Sequence, residues 1–327
     1  MPLGRTLIIL DHTVDPPLNE TGETLGKVPV IQHQLFSILP TEQRLPHPPG
    51  DRDQPERERA DRFARAALTL VCALTGCAAT PPPTALDQQP PELVSAFFGL
   101  DDSLPPQSIA ICPEAPGKDG MPVTFSRRVV GSGIEGARVD AAAFTVVTRS
   151  GQQTTPVCAS LRPAVGSSER HTVLLIGDFG DPVDDPPVQV AVTGHLPLDG
   201  GADGLGLAVD VTPLEAGPSI VLAMGHPAGG RDSDCPEGTR QVVEVVWSGG
   251  VVPGPGQTPE SHREMYSVTT ETGEAKPIAL GGVADNDNYE QLCLDTESPA
   301  SRVSAAEGIL QDPRGDLNPP TSLAVAR

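Results

Sequence analysis

Aromatic and basic side chains are both scarce in this sequence of 327 residues. One Trp, two Tyr and seven Phe make up the aromatic content, and 22 Lys and Arg stand against 43 Asp and Glu, for a formal net charge of −21. A chain this acidic repels phosphate backbones, which argues against nucleic acid as a partner. No apolar run beyond residue 77 approaches the roughly 20 residues that a transmembrane helix needs.

Several motifs of catalytic and metal sites are missing as well. The chain has no Cys-x-x-Cys, no His-x-x-x-His, no His-Glu-x-x-His, no Gly-x-Ser-x-Gly and no Ser-x-x-Lys. We therefore predict that the protein is not an enzyme. The alternative is a secreted hydrolase whose acidic groups and histidines converge from distant positions. The histidines beyond residue 77 are His171, His195, His226 and His262.

An export signal lies near residue 60. Arginines precede a short apolar run at 66–73, and the run leads directly into Leu74-Thr75-Gly76-Cys77. A basic flank, a short apolar core and a small-residue processing site are typical of secretion signals. The four final residues resemble the lipobox of bacterial lipoproteins, which implies that Cys77 is the lipidated first residue of the mature protein. Ala78 follows, and by resemblance to the sorting rule of such proteins it favours the outer membrane.

The rest of the chain divides by composition. Residues 1–60 are rich in proline and charge, and we expect either an extension upstream of the true start codon or a disordered cytoplasmic leader. Residues 61–76 are the predicted signal peptide, with a short signal helix. Residues 77–105 are predicted to form a Pro-rich tether. Residues 106–213 and 214–327 are each expected to form one domain.

These two domains are related by an internal repeat. The segment 123–130 reappears at 245–252, and the segment 144–148 reappears at 266–270, both at an offset of 122 residues. Each copy carries its large aromatic residues at the same places, and the order of the matches is preserved. The agreement indicates a duplication. The period-two pattern of the strands predicts that Phe125 and Trp247 point inward.

Each copy contains short Val-rich runs separated by turn residues, which is typical of antiparallel strands. About seven strands in about 100 residues predict an all-β, Ig-like sandwich. Residues 93–100, before the first copy, are predicted to form a short helical turn. The predicted strands are 108–112, 122–130, 143–149, 155–161, 171–176, 187–196 and 206–212, then 219–224, 240–248, 264–270, 277–281, 290–295, 301–310 and 321–326.

Short motifs within the copies suggest a family. Phe125-Ser126 at the end of a strand, a hairpin at 144–151 and Gly194-His195-Leu196 resemble the SbsA-type bacterial Ig-like modules of S-layer proteins. The second copy shares the hairpin and adds an Asp-Pro-x-Gly-Asp turn at 312–316. The resemblance implies tandem sandwich modules that serve as spacers, adhesive units or scaffolds, so it bears on architecture more than on activity.

Four cysteines follow Cys77, namely Cys112, Cys158, Cys235 and Cys293. An even number in an exported protein predicts two disulfides. Because Cys112 and Cys235 hold equivalent positions in the repeat, we predict the pairs Cys112–Cys158 and Cys235–Cys293, one in each module. Pairing across the modules is the alternative. Each bond is expected to stabilise the fold by roughly 2–4 kcal/mol.

A glycine-rich stretch at 131–136 matches the Gly-x-Gly-x-x-Gly fingerprint of dinucleotide-binding folds. That fingerprint requires a helix directly after it, and the residues that follow predict a strand. We therefore interpret the stretch as a hairpin loop.

Two acidic loops could supply oxygen ligands to calcium. One contains Asp285 and Asp287, the candidate metal ligands of the second copy, and the other contains four aspartates between 178 and 185. The glycine and glutamate of an EF-hand loop are absent. Asp and Asn side chains that bond their own backbone in turns are the alternative interpretation. No other cofactor is predicted.

Together these features predict a non-enzymatic lipoprotein of the bacterial cell envelope. Its lipid would attach it to a membrane, with the outer membrane favoured. Its two modules would act as a structural, adhesive or accessory binding protein that engages an envelope protein or a polysaccharide. A calcium-dependent binding module is the alternative within the same fold.

Overall fold

The computed structural model describes residues 89–164, 166, 168–229, 233–283 and 287–326. These residues belong to one compact unit, Ala78–Arg327. The chain is nearly all β, and its sheets form β-sandwich domains as the sequence predicts. The predicted extension at 1–60, the predicted signal peptide at 61–76 and Cys77 lie outside the described residues.

The first sandwich contains short strands and single 3-10 turns. The turns are Pro106–Ala110, Ile134–Gly136, Ala141–Ala143 and Asp199–Gly201. The strands are β1 Leu93–Phe97, β2 Asp119–Phe125, β3 Arg138–Val139, β4 Phe144–Thr148, β5 Gln153–Thr154, β6 Cys158–Ser160, β7 Thr172–Gly177, β8 Pro187–Val192, β9 Pro197–Leu198, β10 Ala202–Asp203 and β11 Ala208–Thr212.

Hydrogen bonds join most of these strands in the order β3-β6-β7-β2-β1-β11-β8-β4-β5. The pair β1 and β11 is parallel and short, with Ala96 opposite Val211. The two halves of the sheet on either side of this pair face each other. Inward residues of β2 and β7 meet those of β4 and β8 in one apolar core. Alternate residues of each strand point into that core, which is the period-two pattern expected of a sandwich.

The second sandwich contains the strands β12 Ile220–Pro227, β13 Gln241–Trp247, β14 Val252–Pro253, β15 Tyr266–Thr270, β16 Gly273–Ala275, β17 Ala279–Gly281, β18 Tyr289–Leu294, β19 Ala300–Ala305, β20 Leu310–Gln311 and β21 Thr321–Ala324. A short helix, α1, spans Pro259–Glu264 and begins at a capping box formed by Thr258 and Ser261. The strands form two four-stranded sheets, β12-β13-β18-β17 and β16-β15-β19-β21, and the two-stranded ribbon β14-β20.

The predicted duplication is visible in the topology. Strand β13 begins and ends 122 residues after β2, and β15 begins and ends 122 residues after β4. The order β6-β7-β2-β1 corresponds to β17-β18-β13-β12, and β11-β8-β4-β5 corresponds to β21-β19-β15-β16. The two copies therefore share both strand order and register.

Both cores contain an edge-to-face aromatic pair at the same place. The rings of Phe125 and Phe144 are 6.5 Å apart at 62°, and those of Trp247 and Tyr266 are 6.4 Å apart at 61°. All four side chains are buried. Such a pair contributes about 0.5–1.5 kcal/mol beyond the burial of its apolar surface.

Two local predictions are wrong. The helical turn at 93–100 is instead the strand β1, which lies inside the range 77–105 assigned to the tether. β1 is a central strand covered on both faces, so it lacks the polar alternation that identifies a strand in a sequence. The strand at 108–112 is the 3-10 turn Pro106–Ala110, which begins at a proline that presets the backbone for a helical turn.

Candidate functional site at the junction of the sandwiches

Tyr289, the first residue of β18, connects the second sandwich to the first. Its hydroxyl accepts hydrogen bonds from the backbone N–H groups of His171 and Thr172, each at 2.9 Å. The hydroxyl in turn donates to Thr172 Oγ1 at 3.3 Å. Burial raises the pKa of Tyr289, so the phenol stays protonated. One side chain thus satisfies two backbone donors of the other sandwich.

Asn288 extends this contact. Its Nδ2 donates to Thr172 Oγ1 at 3.0 Å and to the backbone oxygen of Trp247 at 2.7 Å. Beside it, Ala164 of the first sandwich packs against a buried apolar cluster of the second, which comprises Leu222, Met224, Val246 and Tyr289. Polar and apolar contacts together close the junction, and a close-packed contact of this kind limits independent domain motion.

Two histidines near the junction are held neutral by burial. His171 Nδ1 lies 3.0 Å from the carbonyl oxygen of Phe125, so this nitrogen carries the proton and donates it. Burial lowers the pKa of His171 to about 4, with Arg128 acting in the same direction. Burial, and then Arg128, also lowers the pKa of His226.

An apolar cavity of about 520 Å³ opens at this junction. Phe97, Leu104 and Leu174 line it from the first sandwich, and Gly249 and Asp287 line it from the second. Its volume falls in the range of small-molecule sites, which are mainly apolar with a few polar groups. The cavity therefore has the size and chemistry of a binding site.

The walls of this cavity are fixed by the local structure. The segment between β1 and β2 closes on itself, because Leu104 N donates to Lys118 O at 3.0 Å and Gly117 N donates to Leu104 O at 2.8 Å. On the opposite side, a Cβ at Gly249 would lie 2.8 Å from the ring of Phe97. Only glycine permits this approach of the second sandwich to Phe97.

The four cysteines beyond Cys77 are brought together in pairs within each module. The predicted bond between Cys235 and Cys293 is present, with an S–S distance of 1.99 Å. Cys112 and Cys158 carry free thiols that are hydrogen-bonded to each other, and burial together with Cys112 raises the pKa of Cys158 to about 12. The Cys112–Cys158 disulfide therefore stays a prediction, and the two thiols that it would join lie next to each other. Both thiols border a second, more polar hollow of about 850 Å³.

The candidate metal ligands are only partly described. Asp285 lies outside the described residues. Asp287 is 5% exposed, and its Oδ1 accepts a hydrogen bond from Tyr289 N at 2.7 Å. Among the residues that the structure describes, no group of three or more His, Cys, Asp or Glu is placed to hold a metal ion.

Three of the four aspartates between 178 and 185 are engaged by other groups of the protein, and Asp178 pairs with Lys118 Nζ at 2.8 Å. Asp181 Oδ1 accepts from Val183 N at 2.8 Å and from Asp184 N at 2.7 Å, and these bonds lower the pKa of Asp181. Hydrogen bonds from Ser150 likewise lower the pKa of Asp185. The Asp181 bonds are the turn arrangement considered above as the alternative to calcium binding, whereas Asp185 joins this loop to Ser150 in the turn between β4 and β5.

The glycine-rich stretch at 131–136 is a hairpin loop, as predicted. Gly133 and Gly136 adopt φ values of 76° and 63°, and the strand β3 follows rather than a helix. A Cβ at Gly131 would lie 2.0 Å from the carbonyl oxygen of Gly136, so the loop requires glycine there.

A buried polar network in the second core was not predicted. The Trp247 indole Nε1 donates to the Tyr266 hydroxyl at 3.1 Å, and that hydroxyl donates to Glu290. His262, on α1, places its Nε2 2.9 Å from Glu290 Oε1, and both side chains are about 5% exposed or less. Burial raises the pKa of Tyr266 well above its usual value. Because the network is closed to solvent, it can organise the core but cannot receive a substrate.

The remaining histidine is at the surface. His195 Nδ1 lies 2.7 Å from Asp203 Oδ2, and this contact lowers the pKa of Asp203 to about 2. The four histidines are therefore distributed over the junction, the second core and the surface. They do not assemble into one cleft.

The chain was compared with protein-family models, curated proteins and solved structures, and none of them matches it. Within the described ranges, no helix is long and apolar enough to cross a bilayer.

Proposed function

We propose that this chain is a non-enzymatic binding lipoprotein of the bacterial cell envelope. A lipid on Cys77 attaches it to the membrane, with the outer membrane as the favoured location, and the two sandwiches engage another envelope component. The observation that carries the binding role is the closed junction, where Tyr289 ties the sandwiches together beside a preformed apolar cavity.

The chemistry of the junction supports binding more than catalysis. The cavity is lined mainly by aliphatic, proline and aromatic side chains, together with glycine backbone. Groups of this kind contribute shape and apolar surface, whereas acid–base chemistry requires titratable groups with pKa values near the working pH. The nearby histidine His171 is held neutral by its low pKa and donates its ring proton to a backbone carbonyl.

The anchoring role rests on the Leu74-Thr75-Gly76-Cys77 sequence and on the arginines that precede it. One lipid attachment leaves the folded body in water, since a single lipidated residue anchors a chain without burying it. A body with an acidic surface, held near a membrane, is then free to contact soluble or surface-bound partners.

Metabolic labelling with an alkyne analogue of palmitate tests the anchor. We expect the native chain to incorporate the label and to sediment with outer-membrane vesicles, and the Cys77→Ser variant to lose both properties. The Cys112→Ser variant is the matched control and should keep the label. Incorporation of the label by Cys77→Ser would refute the lipid anchor, and so would a native chain that incorporates no label.

Affinity capture from cells that express each form tests the binding role. A specific envelope protein or polysaccharide should be enriched with the native chain and depleted with Cys77→Ser, because the unanchored chain no longer meets its partner at the membrane. Equal recovery with both forms would contradict a role that depends on anchoring.

A further inference from the structure

We propose that the junction cavity binds a small apolar molecule that carries no negative charge, such as an uncharged or cationic compound of two or three rings. This inference goes beyond the proposed engagement of an envelope protein or polysaccharide, because it assigns the junction cavity a small-molecule ligand of its own. It does not depend on lipid attachment, because every residue used below lies in the two sandwiches.

The cavity offers apolar contact on most of its surface. Phe97 and Leu104 are buried within its wall, and Leu174 presents its partly buried side chain to the same space. Burial of apolar ligand surface contributes roughly 25 cal/mol per Å². At about 520 Å³, the space accommodates a molecule with two or three rings rather than a large polymer.

The charge of an apolar molecule determines whether the cavity binds it. The Asp287 side chain lines the cavity and is only 5% exposed, so a ligand anion would meet a carboxyl group in a poorly hydrated place. Arg162 also borders the cavity, but its guanidinium Nη2 is already paired with Glu135 Oε2 at 2.5 Å. Because Glu135 offsets the charge of Arg162, an anion would give up its hydration for a site with no net positive charge, and a neutral or cationic molecule avoids this cost.

The cavity is preformed by contacts within the protein. The close approach of Gly249 to Phe97 sets the separation of its two sides, and the bonds of Tyr289 to His171 and Thr172 fix the sandwiches next to it. A preformed site binds without the cost of ordering its own walls.

Two fluorescent probes with one skeleton test the proposal. N-phenyl-1-naphthylamine is neutral, and 8-anilino-1-naphthalenesulfonate adds only a sulfonate. Both are titrated against the full chain carrying Cys77→Ser, which removes acylation and keeps the result separate from the anchor. We expect saturable binding of the neutral probe, with at least about tenfold weaker binding of the sulfonate.

Cavity variants locate the binding. Leu174→Trp fills the space from β7, and we expect it to lower the affinity for the neutral probe by about tenfold or more. Leu100→Phe fills the same space from another side and replaces Leu174→Trp if that variant does not fold. The control is Leu205→Trp, at a residue that is 57% exposed and outside the cavity, which should bind like the parent chain.

Asp287→Asn tests the charge rule, since the amide oxygen can still accept the bond from Tyr289 N. We expect it to reduce the preference for the neutral probe. Absence of saturable binding to the parent chain would overturn the proposal, as would undiminished binding to folded Leu174→Trp and Leu100→Phe. Equal affinity for the two probes would overturn the charge rule. None of these results would alter the palmitate and capture experiments.

Discussion

Replacing Tyr289 with Phe removes one oxygen atom from the junction and should weaken the whole fold. The backbone N–H groups of His171 and Thr172 would both lose their acceptor, which lies at 2.9 Å from each. Leaving a buried donor unsatisfied costs about 1–3 kcal/mol. Taking about 1–2 kcal/mol for each amide, we expect Tyr289→Phe to lower the free energy of unfolding by about 2–4 kcal/mol.

Two measurements check this value. Urea unfolding gives the change in free energy, and native-state hydrogen exchange reports on the two amides directly. A loss of about 2 kcal/mol or more in local stability accelerates exchange at positions 171 and 172 by at least about thirtyfold.

The matched control is Tyr266→Phe, which removes a buried phenol from the interior of the second sandwich. It should destabilise the protein because Glu290 and the Trp247 indole lose a partner. Exchange at His171 and Thr172 should change no more than global stability does. Unaltered stability and unaltered exchange in Tyr289→Phe would refute the claim that the hydrogen bonds from His171 N and Thr172 N to Tyr289 stabilise the junction.

Three further outcomes follow from individual side chains. The pKa of His171 is lowered to about 4 from an ordinary 6.5, so the folded state binds fewer protons than the unfolded state below pH 6.5 and stability falls toward pH 4. Between pH 7 and pH 5, urea unfolding of the native chain should lose about 2 kcal/mol more than that of His171→Asn, and equal losses would contradict the shift. Peptide mapping of the oxidised protein without reduction should recover Cys112 linked to Cys158, and Cys112→Ser should cost about 2–4 kcal/mol; a link from Cys112 to another cysteine would refute the pairing. Gly131→Ala should lower the urea midpoint because its Cβ would lie 2.0 Å from Gly136 O, at a cost of about 1–3 kcal/mol, and an unchanged midpoint would show that this loop is not tightly packed.

The repeat was the strongest signal in the sequence because it combined two kinds of pattern. The offset of 122 residues aligned β2 with β13 and β4 with β15, and the period-two pattern turned Phe125 and Trp247 inward. Both patterns report on cores that each module builds from its own residues. For that reason they predicted the all-β architecture and the positions of the core aromatics.

Strand β1 escaped prediction because it is central and covered on both faces. Its residues Leu93–Phe97 are mostly apolar and buried, so no alternation marks them as a strand. The proline-rich composition just before it favoured a tether. Its place became visible only through its partners β2 and β11.

The junction was invisible in the sequence for a different reason. Tyr289 bonds backbone N–H groups more than one hundred residues away, and a backbone donor has no sequence signature. The cavity likewise depends on Gly249 approaching Phe97 across the two modules. In contrast, the pairing of Cys235 with Cys293 followed from positions inside one repeat and could be predicted.

Backbone ¹⁵N relaxation of the full chain tests most directly whether the two sandwiches form one body around the junction. Tumbling times are obtained separately for amides in β2, β4 and β7 and for amides in β13, β15 and β18. A junction closed by Tyr289 predicts one common rotational correlation time, and Tyr289→Phe should separate the two values. Two different and shorter times in the native chain would contradict the closed junction and the cavity that depends on it.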